Sequence, residues 1–160
     1  MEKVMVAILM GSKSDVTVME EAAQILKEFG VAYEMRVLSA HRSPKECTAY
    51  AEAFRKNGGK IFICGAGVSA ALSGVVSAHT TLPVIGVPID APPLNGMDAL
   101  LSTVQMPPGV PVGAMAIGKA GARNAGLFAI RILSLSDPSL EKRLDQYREE
   151  QRKKILDTKL

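Results

Sequence analysis

Residues 4–10, V-M-V-A-I-L-M, form an unbroken apolar run with charge before it and Gly11 after it. A run of that length is too short for a long buried helix and suits a strand covered on both faces. The period then changes. Val16, Met19, Ala22, Ala23, Leu26 and Phe29 recur at helical spacing, and Gly30 stands where a helix stop is expected. Further strands are predicted at 31–38, 60–64, 82–87 and 110–117. The strand at 31–38 is more polar than the first, which places it nearer a sheet edge. Helices are predicted from Pro44 to the Asn57-Gly58-Gly59 stop, then at about 69–78, 97–104, 119–133 and about 139–156. Ser43 before Pro44 marks a helix start, with Ser43 as N-cap. Residues 88–96 read as an irregular, proline-rich loop.

Strand and helix alternating over short connections predict one doubly wound α/β domain spanning 1–160. The segment from about 137 to 160 is a C-terminal helix of mixed charge, long enough past the last strand to serve as an inter-subunit arm. In such a fold, ligands bind outside the carboxyl ends of the strands. Three loops rich in polar residues or glycine fall at those ends: 11–15, 39–43 and 65–69.

Composition narrows the function. The chain has 160 residues, 48% hydrophobic but only 4% aromatic, with no Trp. Its apolar mass is Ala, Val, Ile, Leu and Met, as buried parallel strands under small-residue helices require. A net charge of +3 without a large basic block argues against nucleic-acid binding. Cys47 and Cys64 are far apart and show no metal-ligand spacing, so reduced thiols and a cytoplasmic location are expected. No apolar run reaches membrane-spanning length, and the N-terminus lacks a signal-peptide pattern.

The candidate chemistry begins at Gly11-Ser12-Lys13-Ser14-Asp15. A strand, a hydroxyl-rich turn and a helix start present free N–H groups, a helix dipole and two hydroxyls to an anion such as phosphate. Asp15 either caps the helix or accepts hydrogen bonds from a polyol such as ribose. His41 and Arg42 sit in the next strand-to-helix turn. Arg42 matches phosphate oxygens with its planar fork, and imidazole suits proton transfer near neutral pH. The other histidine, His79, ends a helix, where the dipole accounts for it. Gly65-Ala66-Gly67 faintly resembles a dinucleotide fingerprint, with Asp90 further on, but Ala70 replaces the third glycine. No G-x-S-x-G elbow is present, and Lys119 lacks a P-loop.

Several segments together resemble one family: G-S-K-S-D at 11–15, S-A-H-R at 39–42, G-A-G at 65–67, P-V-I-G-V-P at 83–88, V-Q-M-P at 104–107 and A-I-G-K-A-G at 116–121. The chain is identified by them, in order and over nearly its whole length, as a member of the bacterial-type N5-carboxyaminoimidazole ribonucleotide mutase family. That is the family of the phosphoribosylaminoimidazole carboxylase catalytic subunit, of de novo purine synthesis. The resemblance implies a three-layer flavodoxin-like domain, a homo-octamer with sites at subunit junctions, and a carboxylate shift from N5 to C4 without metal or other cofactor. It implies that Ser12 and Arg42 hold the substrate phosphate with help from Ser14 and Ser39. By the same resemblance, Asp15 binds the ribose hydroxyls and His41 shuttles the proton. Gly65 and Gly67 would let the backbone approach the ring and the migrating carboxyl group.

One segment departs from the family pattern. Where relatives often read G-A-G-x-A-A-H-L-P-G, this chain reads G-A-G-V-S-A-A-L-S-G, with Ala71 at the histidine and Ser73 at the proline. The proton duty then falls on His41. Animal-type relatives, which take free CO₂, carry lysine where this chain has Arg42; Arg42 and the G-V-P segment favour the mutase. The rival readings are a direct aminoimidazole ribonucleotide carboxylase and a non-catalytic flavin- or nucleotide-binding module. The paucity of aromatics near the predicted ring pocket counts against a flavin.

Overall fold

A computed structural model describes residues 3–159. Five parallel strands form one sheet in the order β2-β1-β3-β4-β5: β1 Val6–Met10, β2 Tyr33–Val37, β3 Ile61–Gly67, β4 Val84–Ile89 and β5 Gly113–Ala114. This is the flavodoxin-like order, in which the chain reverses its winding direction between β1 and β3. The helices are α1 Val16–Glu28, α2 Pro44–Lys56, α3 Leu72–Ala78, α4 Met97–Val104, α5 Gly118–Ser134 and α6 Pro138–Leu156.

Every residue of β1 is buried, because its two faces pack against different layers. Val6, Ile8 and Met10 face α1 and α5, joined there by Ile63, Ile85 and Val87. Ala7 and Leu9 face α2 and α3, with Phe54, Phe62 and Leu72. The polar strand β2 lies at the edge, as its composition foretold.

Small residues set the distance between layers. At Gly126 in α5, a Cβ would stand 2.9 Å from Ile25 Cβ and 3.0 Å from the carbonyl oxygen of Ala22, both in α1. At Gly86 in β4 it would stand 2.3 Å from Thr103 Cγ2 of α4. The first half of α6 docks through Leu140 and Leu144. Its Arg143 donates to the carbonyls of Phe29 and Glu28 at 2.7 Å each, so a cation caps the C-terminal end of α1. The second half carries Ile155 and Leu156, both exposed.

Several expectations shift. β3 runs on through Gly65, Ala66 and Gly67, which pair with Val87, Pro88 and Ile89 of β4 instead of forming a turn. With that, α3 starts at Leu72, later than 69. The strand expected at 110–117 is reduced to Gly113–Ala114, because prolines at 107, 108 and 111 withhold ladder donors on the approach to this edge.

The α1–α5 contact gives a direct prediction. Gly126→Val should lower the unfolding free energy by about 1–3 kcal/mol through overpacking, read from the denaturation midpoint at unchanged m value. A variant as stable as the parent would show that the two helices have slack.

Candidate functional site

The carboxyl ends of β1, β3 and β4 and the turn after β2 surround a cleft of about 620 Å³. Ser12, Ser14 and Asp15 line it from the first loop, Ser39, His41 and Arg42 from the second, and Gly67 from the end of β3. The fold therefore gathers seven of the eight singled-out residues. Gly65 stands behind the wall. A Cβ there would lie 2.3 Å from Met19 Sδ, so that glycine serves the packing of β3 on α1.

The first loop is a 3₁₀ turn, Lys13–Asp15, leading directly into α1. Ser12 caps that turn, its Oγ accepting from the Ser14 N–H at 3.4 Å. Asp15 closes the cap by reaching back, its Oδ2 accepting from the Ser12 N–H at 3.0 Å. Its Oδ1 lies 3.2 Å from the Ser14 hydroxyl. Asp15 occupies the N-cap position of α1 but makes no cap bond there. It is one of few buried polar residues, and burial pushes its carboxyl above the ordinary 3.8 despite hydrogen bonds from Ser14 and Ser12 and the nearby Arg42. An anion short of hydration takes further donors readily, and a pair of vicinal hydroxyls would supply them.

The second loop is tied to the first by one bond: Arg42 Nη2 donates to the carbonyl of Gly11 at 2.7 Å. Arg42 Nε and its backbone N–H converge on Ser39 Oγ, at 3.5 and 3.1 Å. That leaves Nη1 of the fork for an anion beside the Ser12 and Ser14 hydroxyls. His41 is exposed on the cleft wall, and among the described residues nothing hydrogen-bonds its ring. His79 lies elsewhere, at the end of α3, 2.9 Å from Glu52 Oε1. His41 is thus the imidazole available to a ligand here.

The sequence marks part of the inner wall, the 65–69 segment with Ala71 and Asp90, and leaves out Leu72, Ile89, Ala91 and Pro92. Ala66, Val68, Ser69, Ala71, Leu72, Ile89, Ala91 and Pro92 line it, mostly small or apolar, with Asp90 as the exposed charged group. The signal for residues 89–92 is the strand-to-loop transition of β4, which the apolar run puts at 87 and the structure puts at Ile89. Ala71 sits in the wall where the family pattern has histidine, and Ser73 is buried just below, 3.3 Å from where a Cβ on Gly86 would stand. Val68 holds φ +56, which β-branched side chains avoid, at a cost of about 1–3 kcal/mol. The polar side chains of the two loops thus share one cleft with a wall of mostly small or apolar residues.

The raised Asp15 carboxyl has a thermodynamic consequence. Its contribution to stability is fully present below about pH 3.8 and is lost as pH rises through the higher folded-state value. Asp15→Asn keeps an acceptor for the Ser12 N–H and removes the buried charge. The variant should gain in stability relative to the parent as pH rises through that window, while losing affinity for polyol phosphates. A difference independent of pH, measured by thermal unfolding from pH 3 to 7, would contradict the burial argument.

Residues 5–154 match the family described as AIR carboxylase. The chain is 53% identical to the N5-carboxyaminoimidazole ribonucleotide mutase of Bacillus subtilis over 96% of its own length and 95% of that protein. It is 51% identical to the mutase of Haemophilus influenzae, covering 95% and 93%. A crystal structure of Treponema denticola PurE superposes with a TM-score of 0.87 at 32% identity, covering 96% of this chain and 94% of that one. Because the match spans nearly the whole fold, cleft included, the chain belongs to the AIR carboxylase family.

Proposed function

We propose that the cleft converts N5-carboxyaminoimidazole ribonucleotide to 4-carboxy-5-aminoimidazole ribonucleotide, an isomerase step of purine biosynthesis. The observation that carries this reading is the bond from Arg42 to Gly11, which ties the two loops so that the Ser12 and Ser14 hydroxyls, the Arg42 guanidinium and the free His41 imidazole line one cleft. The full-length likeness to proteins named for that mutase supports the same assignment.

In this reading Ser12, Ser14, Ser39 and Arg42 hold the phosphate, and Asp15 takes the ribose hydroxyls. The base and its carbamate then extend toward Gly67, Ala66 and Ala71. His41 gives a proton to the carbamate nitrogen as the N–C bond breaks, releasing CO₂. The neighbouring C4 attacks that CO₂, forming the new C–C bond, and its proton returns to His41. Atoms and charge balance without an outside reactant. The small apolar wall retains CO₂ between the steps, keeping its effective concentration high. With Ala71 in place of the family histidine, one imidazole serves as both acid and base.

The same proposal covers the assembly. One catalytic unit spans 1–160, and the enzyme works in the cytoplasm as a homo-octamer. Half-exposed Met97, Leu101 and Val104, spaced along α4, and exposed Ile155 and Leu156 on α6 support burial against neighbouring subunits, with 137–160 as an arm.

The test is a product assay run two ways. With N5-carboxyaminoimidazole ribonucleotide, the C4-carboxylated product should form efficiently; with aminoimidazole ribonucleotide and bicarbonate, it should not. Conversion only in the bicarbonate arm would make the protein a direct carboxylase. Conversion in neither would return the non-catalytic binding reading. His41→Asn should lower kcat by about 10²–10⁴-fold while ribonucleotide binding changes little. Near-normal turnover would remove His41 from the chemistry.

A further inference from the structure

Ser43 stands at the N-cap position of α2, just before Pro44, yet its side chain makes no cap bond. Its hydroxyl turns the other way. Oγ accepts from the Ser39 N–H at 2.9 Å and donates to the Ser39 carbonyl at 3.1 Å, while the Ser43 N–H donates to that same carbonyl at 2.9 Å. Serine at an N-cap ordinarily stabilises its helix through a bond from its hydroxyl to the first turn. Here that bond is forgone, and both hydrogen-bonding functions of the hydroxyl go to closing residues 39–43 into a ring. The ring fixes Ser39, whose own Oγ then receives the backbone N–H and Nε of Arg42. Arg42 in turn reaches Gly11. His41 and Arg42, with Ala40, are the residues this closed turn encloses.

We propose that Ser43 is a positioning residue, whose hydroxyl locks the 39–43 turn so that His41 and Arg42 meet the ligand in register with Ser12 and Asp15. The proposal rests on the ribonucleotide reading of the cleft for its activity readout, though not for its binding readout. Three substitutions separate positioning from helix capping. Ser43→Thr keeps a hydroxyl that can both donate and accept. Ser43→Asp is as good an N-cap as serine, but at neutral pH it has no proton for the Ser39 carbonyl. Ser43→Ala loses both functions.

Two quantities are measured on the intact protein: kcat/KM for N5-carboxyaminoimidazole ribonucleotide and the calorimetric affinity for ribose 5-phosphate. Thermal unfolding accompanies both as a check on folding. Ser43→Ala and Ser43→Asp should lose about ten- to a hundredfold in kcat/KM, with Ser43→Thr within about threefold of the parent, since small displacements of a catalytic group carry penalties of that order. Ribose 5-phosphate affinity should fall in the same order, because Arg42 moves with the turn. Ser43→Asp performing as well as Ser43→Thr would assign the residue to helix capping and overturn the proposal. So would Ser43→Ala within twofold of the parent in both measurements. If Ser43→Ala does not fold, the contrast between threonine and aspartate decides alone. Should the parent fail to turn over the carbamate, the ribonucleotide reading falls, and the ribose 5-phosphate series still judges Ser43.

Discussion

The site depends on register in the middle of the sheet. Met10, the last residue of β1, pairs with Val37 of β2 on one side and Gly65 of β3 on the other. Parallel pairing brings three chain segments to the same level pointing the same way, so their loops emerge side by side. The winding reversal between β1 and β3 opens the crevice that these loops line. A one-residue slip in β1 would turn Ile8 from the α1 layer toward the α2 layer, so burial on both faces enforces the register that function uses.

Local stability is given up around the cleft in three places. Asp15 is held as a poorly hydrated carboxylate, Val68 keeps a left-handed backbone, and α2 starts without the cap its sequence offers. Each departure leaves a group aimed at the cleft or at the turn bordering it. Elsewhere local preference and packing agree: Arg143 completes the end of α1, Gly126 admits α1 against α5, and Asp137 caps α6 through Ser139 and Leu140. Strain concentrated at one edge of an otherwise consistent fold is the usual mark of a binding site.

The order of elements and the three site loops were legible from hydrophobic period and turn residues, because β1, α1 and α5 have clean patterns and clear stops. That Ser12, Asp15 and Arg42 come together was legible too, since each stands in a turn at the carboxyl end of a parallel strand, where such turns converge. Other features depend on contacts distant in sequence. Gly65 looked like a ligand-facing glycine, and only the position of Met19 reveals why a side chain is excluded there. The part of the inner wall made by Leu72, Ile89, Ala91 and Pro92 has no polar signal, and β3 and β4 run two or three residues past their apolar cores. The direction of the Ser43 hydroxyl is likewise invisible in sequence, where serine before proline reads as a cap.

The central claim is that two loops, joined by Arg42 and Gly11, form one ribonucleotide site. A crystal structure of the protein with aminoimidazole ribonucleotide tests it most directly. The account places the phosphate within hydrogen-bond distance of the Ser12 hydroxyl and Arg42 guanidinium, the ribose hydroxyls on Asp15, and the imidazole ring between His41 and the Ala66–Gly67 wall. A ligand bound with its phosphate at the inner wall, or outside the cleft altogether, would contradict it.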